Sequence, residues 1–138
     1  MKHYVGCLIL TSDNRILLQQ RGDDWTHHPG FLSEFGGAIE SGETPLAALI
    51  RELNEELGAS VNSCDVVELG LMIDKSVRND CELVFGFFWH DKMGAITGCY
   101  EGESRLFAST AAVREHPKVM GSVIWLLGEC QQRKLIKS

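Results

Sequence analysis

Proline is scarce in this sequence, three in 138 residues, and no stretch has the composition of a disordered, collagenous or low-complexity chain. Long apolar runs are missing too. The N-terminal run, residues 4–10, is seven residues long and ends in Thr11-Ser12-Asp13 with no small-residue cleavage pattern after it, so neither a membrane span nor a leader is expected. A cytoplasmic protein is the expectation. Cysteine is present but wrongly arranged for a framework: Cys7, Cys64, Cys81, Cys99 and Cys130 are odd in number and scattered, with no C-x-x-C and no histidine at zinc-ligand spacing. Positive charge is also short. Thirteen Lys and Arg against 19 Asp and Glu leave a net charge of −6, which argues against a basic face for a nucleic-acid polymer.

The remaining composition, 44% hydrophobic and 23% charged, is that of an ordinary globular protein, and the length suits a single domain over residues 1–138. The acidity is local. Residues 34–56 hold six Glu (34, 40, 43, 52, 55 and 56) against one Arg, Arg51.

The pattern of elements is mixed α/β. Residues 4–10 and 15–20 flank the turn-forming Ser12-Asp13-Asn14 and read as a hairpin. Residues 21–30 read as a polar loop, 31–37 as the approach to a glycine-rich turn, and 66–73, 81–90 and 105–108 as further strands. One helix is announced by Thr44 as N-cap and Pro45 at the first helical position, and stopped by Gly58. A second, spanning 119–133, carries Met120, Val123, Ile124 and Leu127 at helical spacing and reads as a packing helix.

On the first helix Leu46, Leu49, Ile50, Leu53 and Leu57 share one direction and form a core stripe, while Glu52, Glu55 and Glu56 share another face. Like charges at these spacings repel, and they occupy the end of the helix that disfavours negative charge. No Lys or Arg follows three or four residues later, and Ala48 beside them is expected to leave room above the carboxylates. The metal-free helix should therefore be strained. A hard divalent cation would turn that repulsion into coordination, although a solvated acidic face is the commoner explanation of clustered Glu taken alone. The preceding Gly36-Gly37 turn fits neither a dinucleotide fingerprint nor a P-loop.

Gly37, Glu43, Arg51, Glu52, Leu53, Glu55, Glu56 and Gly58 together match G-x5-E-x7-R-E-U-x-E-E-x-G-U, with U a bulky aliphatic residue, except that the last position is Ala59. Over residues 37–59 the chain resembles the Nudix hydrolases. The resemblance implies an α/β/α sandwich with a mixed sheet. It also implies Mg²⁺ or Mn²⁺ bound by the Gly37 carbonyl and by Glu52, Glu55 and Glu56, with Arg51 and Glu43 holding helix and loop in register. The implied reaction is attack of water on phosphorus in a diphosphate bridge, with Glu52 or Glu55 as base. A further ligand is expected before the aromatic that opens the next strand; Glu101 and Glu103 precede Phe107, and Glu101 is favoured.

Markers of family subclasses are absent at Asp74, Lys75, Ser76 and Val77, which leaves a nucleoside triphosphate or another small diphosphate compound as substrate. Phe35 stands where Pro is frequent. Trp25 is a candidate for base stacking and Arg21, Lys75, Arg78 and Arg105 for phosphate contacts, while His27-His28 reads as a solvent-facing pair. Two rival readings are a ligand-sensing module on the same fold, which should show a degraded motif, and an isomerase, which would need Cys64 or Cys81 at the site.

Overall fold

The computed structural model describes residues 2–74 and 81–137. The runs at 4–10 and 81–90 become the centre of the sheet: β1 (Lys2–Leu10) and β6 (Glu82–His90) pair in parallel from Lys2 opposite Glu82 to Leu10 opposite His90. Their near-continuous hydrophobicity has a simple cause, since parallel strands at a sheet centre are covered on both faces. Val5, Cys7 and Ile9 of β1, with Phe87 and Trp89 of β6, face α1 (Pro45–Leu57). Leu8, Leu10 and Phe88 face the opposite layer, built on α3 (Gly121–Gln132). The result is the expected α/β/α sandwich. Gly86 interrupts the aromatic run of β6 because a Cβ there would lie 2.4 Å from the Trp125 ring of α3.

The expected hairpin forms only at its tip. β2 (Ile16–Gln20) pairs with β1 at Ile9–Leu17 and Leu10–Ile16, around a turn in which Asn14 takes a left-handed φ of 63°. Beyond that the two strands part. β1 continues against β4 (Phe35–Ala38), and β2 lies between β3 (Leu32–Ser33) and β7 (Glu103–Phe107). This divergence opens the sheet beside Gln19 and Ser33, where the site lies. β5 (Val66–Asp74) completes the sheet against β6.

Two helical expectations need correction. α3 starts at Gly121 rather than 119, because residues 118–120 are held extended against β3: the Leu32 N–H donates to the Lys118 carbonyl at 2.8 Å and the Met120 N–H to the Leu32 carbonyl at 3.0 Å. α2 (Thr110–Arg114) is an additional helix, too short to show a period. Its one local sign is Ser109, whose hydroxyl accepts the Ala112 N–H at 3.1 Å. No helix among the described residues is long and apolar enough to cross a membrane.

Candidate active site

The helix α1 is framed as its sequence requires. Thr44 Oγ1 accepts the Ala47 N–H at 3.1 Å, and Gly58 closes the C-terminus in a left-handed conformation with its N–H on the Asn54 carbonyl. Leu49, Leu53 and Leu57 are buried, and Leu46 and Ile50 pack at the margin. Ala48 is buried with them, so it belongs to the core and leaves no open room over the carboxylates. Ala59 is likewise fully buried, which makes it a packing residue despite its small size.

The three glutamates are not equivalent. Glu55 is the most exposed, its side chain 59% accessible; Glu52 is 14% accessible; Glu56 sits in the buried stripe at 3%. Relief of their repulsion comes from the residue before them rather than after. Arg51 donates to Glu52 at 2.9 Å and to Glu55 at 3.4 Å through Nη1, and it grips Glu43 with both Nε and Nη2, at 2.8 and 2.9 Å. The expected strain is thereby offset at Glu52 and Glu55. Arg51 Nη2 also donates to the Ala38 carbonyl at 3.0 Å, and Glu43 accepts the Glu40 N–H at 2.9 Å, so one guanidinium fastens the glycine-rich turn to the helix. That fork, with the Glu40 N–H, holds the Glu43 carboxyl down to about 2. Burial raises Glu52 in spite of Arg51.

Among the described residues no Lys or Arg forms an ion pair with Glu56. One carboxylate oxygen accepts the Gly36 N–H at 2.9 Å and the other lies 3.5 Å from Gln19 Nε2. Burial first, then the charges of Glu101 and Glu52, push its pKa up to about 8. Glu101 reaches it from the loop before β7, which is docked on the end of α1. The sequence-favoured Glu101 is thus brought to the box helix, whereas Glu103 is exposed within β7, in register with Gln20.

These groups suit a hard cation. All donors are oxygens, and Gly37 is a close-approach position, since a Cβ on it would stand 2.5 Å from the Glu52 carboxylate. They are not gathered round one point: Arg51 draws Glu52 and Glu55 aside, and among the described residues no three acidic, His or Cys side chains converge as a closed cage.

Gly36, Gly37, Glu56 and Glu101 line a cavity of about 390 Å³. Glu34 and Ser122 line it as well, the Ser122 hydroxyl bonding both Glu34 oxygens, at 2.8 Å to Oε2. Burial raises the Glu34 carboxyl. Sequence reasoning missed Gln19, Ser33, Glu34 and Ser122 as site residues; a polar residue inside an otherwise apolar strand, as at Gln19, was the available signal. Arg21 lines the cavity, its guanidinium 4.6 Å from the Trp25 ring and doubly bonded to the His27 carbonyl. Trp25 is therefore already covered by Arg21. His27 and His28 also line the cavity, His27 exposed and His28 edge-on to Phe31. Arg105 is not in its wall; it bonds Gln20 at 3.0 Å and lies over Phe107. Lys75 and Arg78 lie outside the described residues. Cys64 lines a different cavity, beside His90 and Lys134, so it does not serve this site.

An α/β/α sandwich carrying an acidic helix face, a glycine-rich turn and a docked acidic loop defines a class of oxygen-donor sites suited to a hard cation. Among known families the NUDIX domain matches residues 2–120, and the chain belongs to that family. It is 36% identical over 66 residues to an 8-oxo-dGTP diphosphatase of Proteus vulgaris, a stretch covering 48% of this chain and 58% of that protein. It is 40% identical over 67 residues to an RNA pyrophosphohydrolase of Halorhodospira halophila, covering 48% of this chain and 33% of that one. The matched stretches thus span less than two thirds of either relative. The fold superposes on the solution structure of the E. coli ORF135 protein with a TM-score of 0.76 at 24% identity, covering 97% and 91% of the two chains. It superposes on a MutT protein from Methanosarcina mazei with 0.77 at 15% identity, covering 96% and 94%.

Proposed function

We propose that this protein is a Mg²⁺-dependent pyrophosphohydrolase acting on a nucleoside triphosphate, with Mn²⁺ able to substitute. The observation that carries the reading is that Glu56, the Gly36-Gly37 turn and Glu101 line one cavity together with a separate hydrogen-bonding group, Glu34 with Ser122. A substrate with a polyanionic part and a polar organic part fits such a lining, and the volume lies within the range of small-molecule sites. The names of the two relatives, a diphosphatase and a pyrophosphohydrolase, point to the same reaction class.

The Gly37 carbonyl and the carboxylates of Glu52, Glu55, Glu56 and Glu101 would hold the cation. Bound there, it neutralises phosphate charge and lowers the pKa of water, chemistry that an anionic site facing an anionic substrate requires. Glu52 or Glu55 would take the proton as water attacks phosphorus and the bridging P–O bond of the anhydride breaks, its electron pair leaving on the departing phosphate, while Glu43 and Arg51 keep turn and helix at a fixed distance. Arg21, in the cavity wall, would meet phosphate oxygens. The acidic chain disfavours a polymer as substrate, and triphosphates are preferred over RNA ends on that ground.

The test is a substrate panel with Mg²⁺: canonical and oxidised (d)NTPs, nucleotide sugars, ADP-ribose and 5′-triphosphorylated RNA, with release of phosphate or pyrophosphate measured. Turnover of a triphosphate that EDTA abolishes is expected. Binding without turnover across the panel would favour the ligand-sensing module, and turnover undiminished by EDTA would remove the metal from the mechanism.

A further inference from the structure

Strand alternation places Gln19 on the same face of β2 as Leu17, the face turned toward α1, so the position one step beyond the core carries an amide instead of an aliphatic side chain. Gln19 is 3% exposed, and a buried amide must find partners. It finds them on three different elements. Its Oε1 accepts the Ser33 hydroxyl of β3 at 3.1 Å, and its Nε2 donates to the Glu101 carbonyl at 3.0 Å and faces the Glu56 carboxylate of α1 at 3.5 Å. The orientation of the amide follows from chemistry. The Glu101 main-chain carbonyl can only accept, so the nitrogen must face it, and the hydroxyl is left for the oxygen. The loop is packed down as well as bonded: Gly102, left-handed at φ 68°, comes close enough that a Cβ would stand 3.1 Å from Gln19 Cγ.

We propose that Gln19 is a positioning residue of the carboxylate site: one amide nitrogen, shared between Glu56 and the Glu101 carbonyl, fixes the helix ligand and the loop ligand at one separation. The inference rests on the pyrophosphohydrolase reading of the site. Glu56 is steadied at one oxygen by the Gly36 N–H and at the other by Gln19, so its carboxylate arrives oriented by neutral donors. A neutral donor suits this task. A Lys or Arg at position 19 would ion-pair with Glu56 and compete with a divalent cation, and an aliphatic residue would leave one oxygen unsupported. Hydrogen-bond donors behind metal-binding carboxylates typically change metal affinity about 10- to 100-fold.

The experiment titrates Mn²⁺ into the full chain without substrate, following free Mn²⁺ by electron paramagnetic resonance, for wild type, Gln19→Met, Ser33→Ala, Glu56→Gln and the Gln19→Met/Glu56→Gln pair. Methionine keeps the unbranched shape and removes the hydrogen bonds. Gln19→Met should weaken Mn²⁺ about tenfold or more. Ser33→Ala should act in the same direction by less, and Gln19→Met should add little once Glu56 is an amide. In turnover assays the metal concentration for half-maximal rate should rise more than kcat falls. A folded Gln19→Met protein that binds Mn²⁺ like wild type overturns the proposal. Should that variant not fold, unchanged Mn²⁺ binding in Ser33→Ala overturns it, as does full additivity in the double variant. Wild type binding no Mn²⁺ that Glu56→Gln removes would instead refute the pyrophosphohydrolase reading itself.

Discussion

The Tyr100 N–H donates to the carbonyl of Glu56 at 2.8 Å, so the residue next to the loop glutamate is bonded to the main chain of the buried helix glutamate. Thr97 and Gly98 do the same for Leu57, at 2.9 and 3.4 Å. The last carbonyls of a helix have no partner within it, and here the loop supplies them. Capping the helix and delivering Glu101 are one structural act.

That proximity is measurable through charge. Burial is the larger cause of the high Glu56 pKa of about 8, and Glu101 is the next. In the metal-free protein, Glu101→Gln should lower the Glu56 pKa, read by carbon-detected NMR titration of its carboxyl. An unmoved titration would mean that the Glu101 carboxylate points away, and Glu101 would leave the ligand set.

Stability against pH follows from the same group. The folded pKa of Glu56 lies above its unfolded value, so folding takes up a proton between about 4.5 and about 8. Its contribution is fully present below about 4.5 and is lost as pH rises through about 8. Metal-free wild type should lose on the order of a few kcal/mol across that window. Glu56→Gln should flatten the profile and equal or exceed wild type at pH 8, while Mg²⁺ should raise the melting temperature of wild type more than that of the variant. Thermal melts at several pH values with EDTA or Mg²⁺ check both; a flat wild-type profile would show that Glu56 is paired in a way the structure does not indicate.

Arg51 should be the most sensitive charge in the chain. Arg51→Ala removes the paired hydrogen bonds to Glu43 and the offset at Glu52 and Glu55, and it should lower the midpoint of urea unfolding. Arg51→Lys should recover only part, because an ammonium cannot bridge Glu43, the Ala38 carbonyl and Glu52 together. Full recovery by lysine would reduce the role of Arg51 to net charge.

How much of this was legible beforehand depended on whether the cause was local. The caps Thr44 and Gly58 and the buried Leu49, Leu53 and Leu57 are written in spacing, and they stand where spacing puts them. The unequal burial of Glu52, Glu55 and Glu56 is set by β4 and the 97–100 loop, which are distant in sequence. The three glutamates therefore look alike on a helical wheel and differ in the fold. The same holds for Gln19 and Ser33. Their bonds cross 37, 82 and 14 residues of sequence, beyond any local pattern. α2 escaped because five residues contain no period.

Adjacent glycines separate fold from function most cleanly. Gly36 has φ 151°, and a Cβ on it would stand 2.0 Å from the Val5 carbonyl oxygen, rigid backbone of the neighbouring strand. Gly36→Ala must push β4 from β1 and dislodge the N–H that Glu56 accepts, so it should cost about 3 kcal/mol and lower the yield of folded protein. Gly37 is different. Its backbone suits any residue, and the atoms a Cβ would meet, at 2.5 to 2.8 Å, are the end of the flexible Glu52 side chain. Glu52 can swing aside, so Gly37→Ala should melt within a few degrees of wild type. The displaced carboxylate is a proposed cation ligand and candidate base, and kcat should fall about 100-fold or more. Melting curves and turnover at saturating Mg²⁺ for both variants decide the matter. A Gly37→Ala enzyme with wild-type kcat would mean that the contact between Gly37 and Glu52 has no part in the chemistry, and Glu55 would then stand as the base.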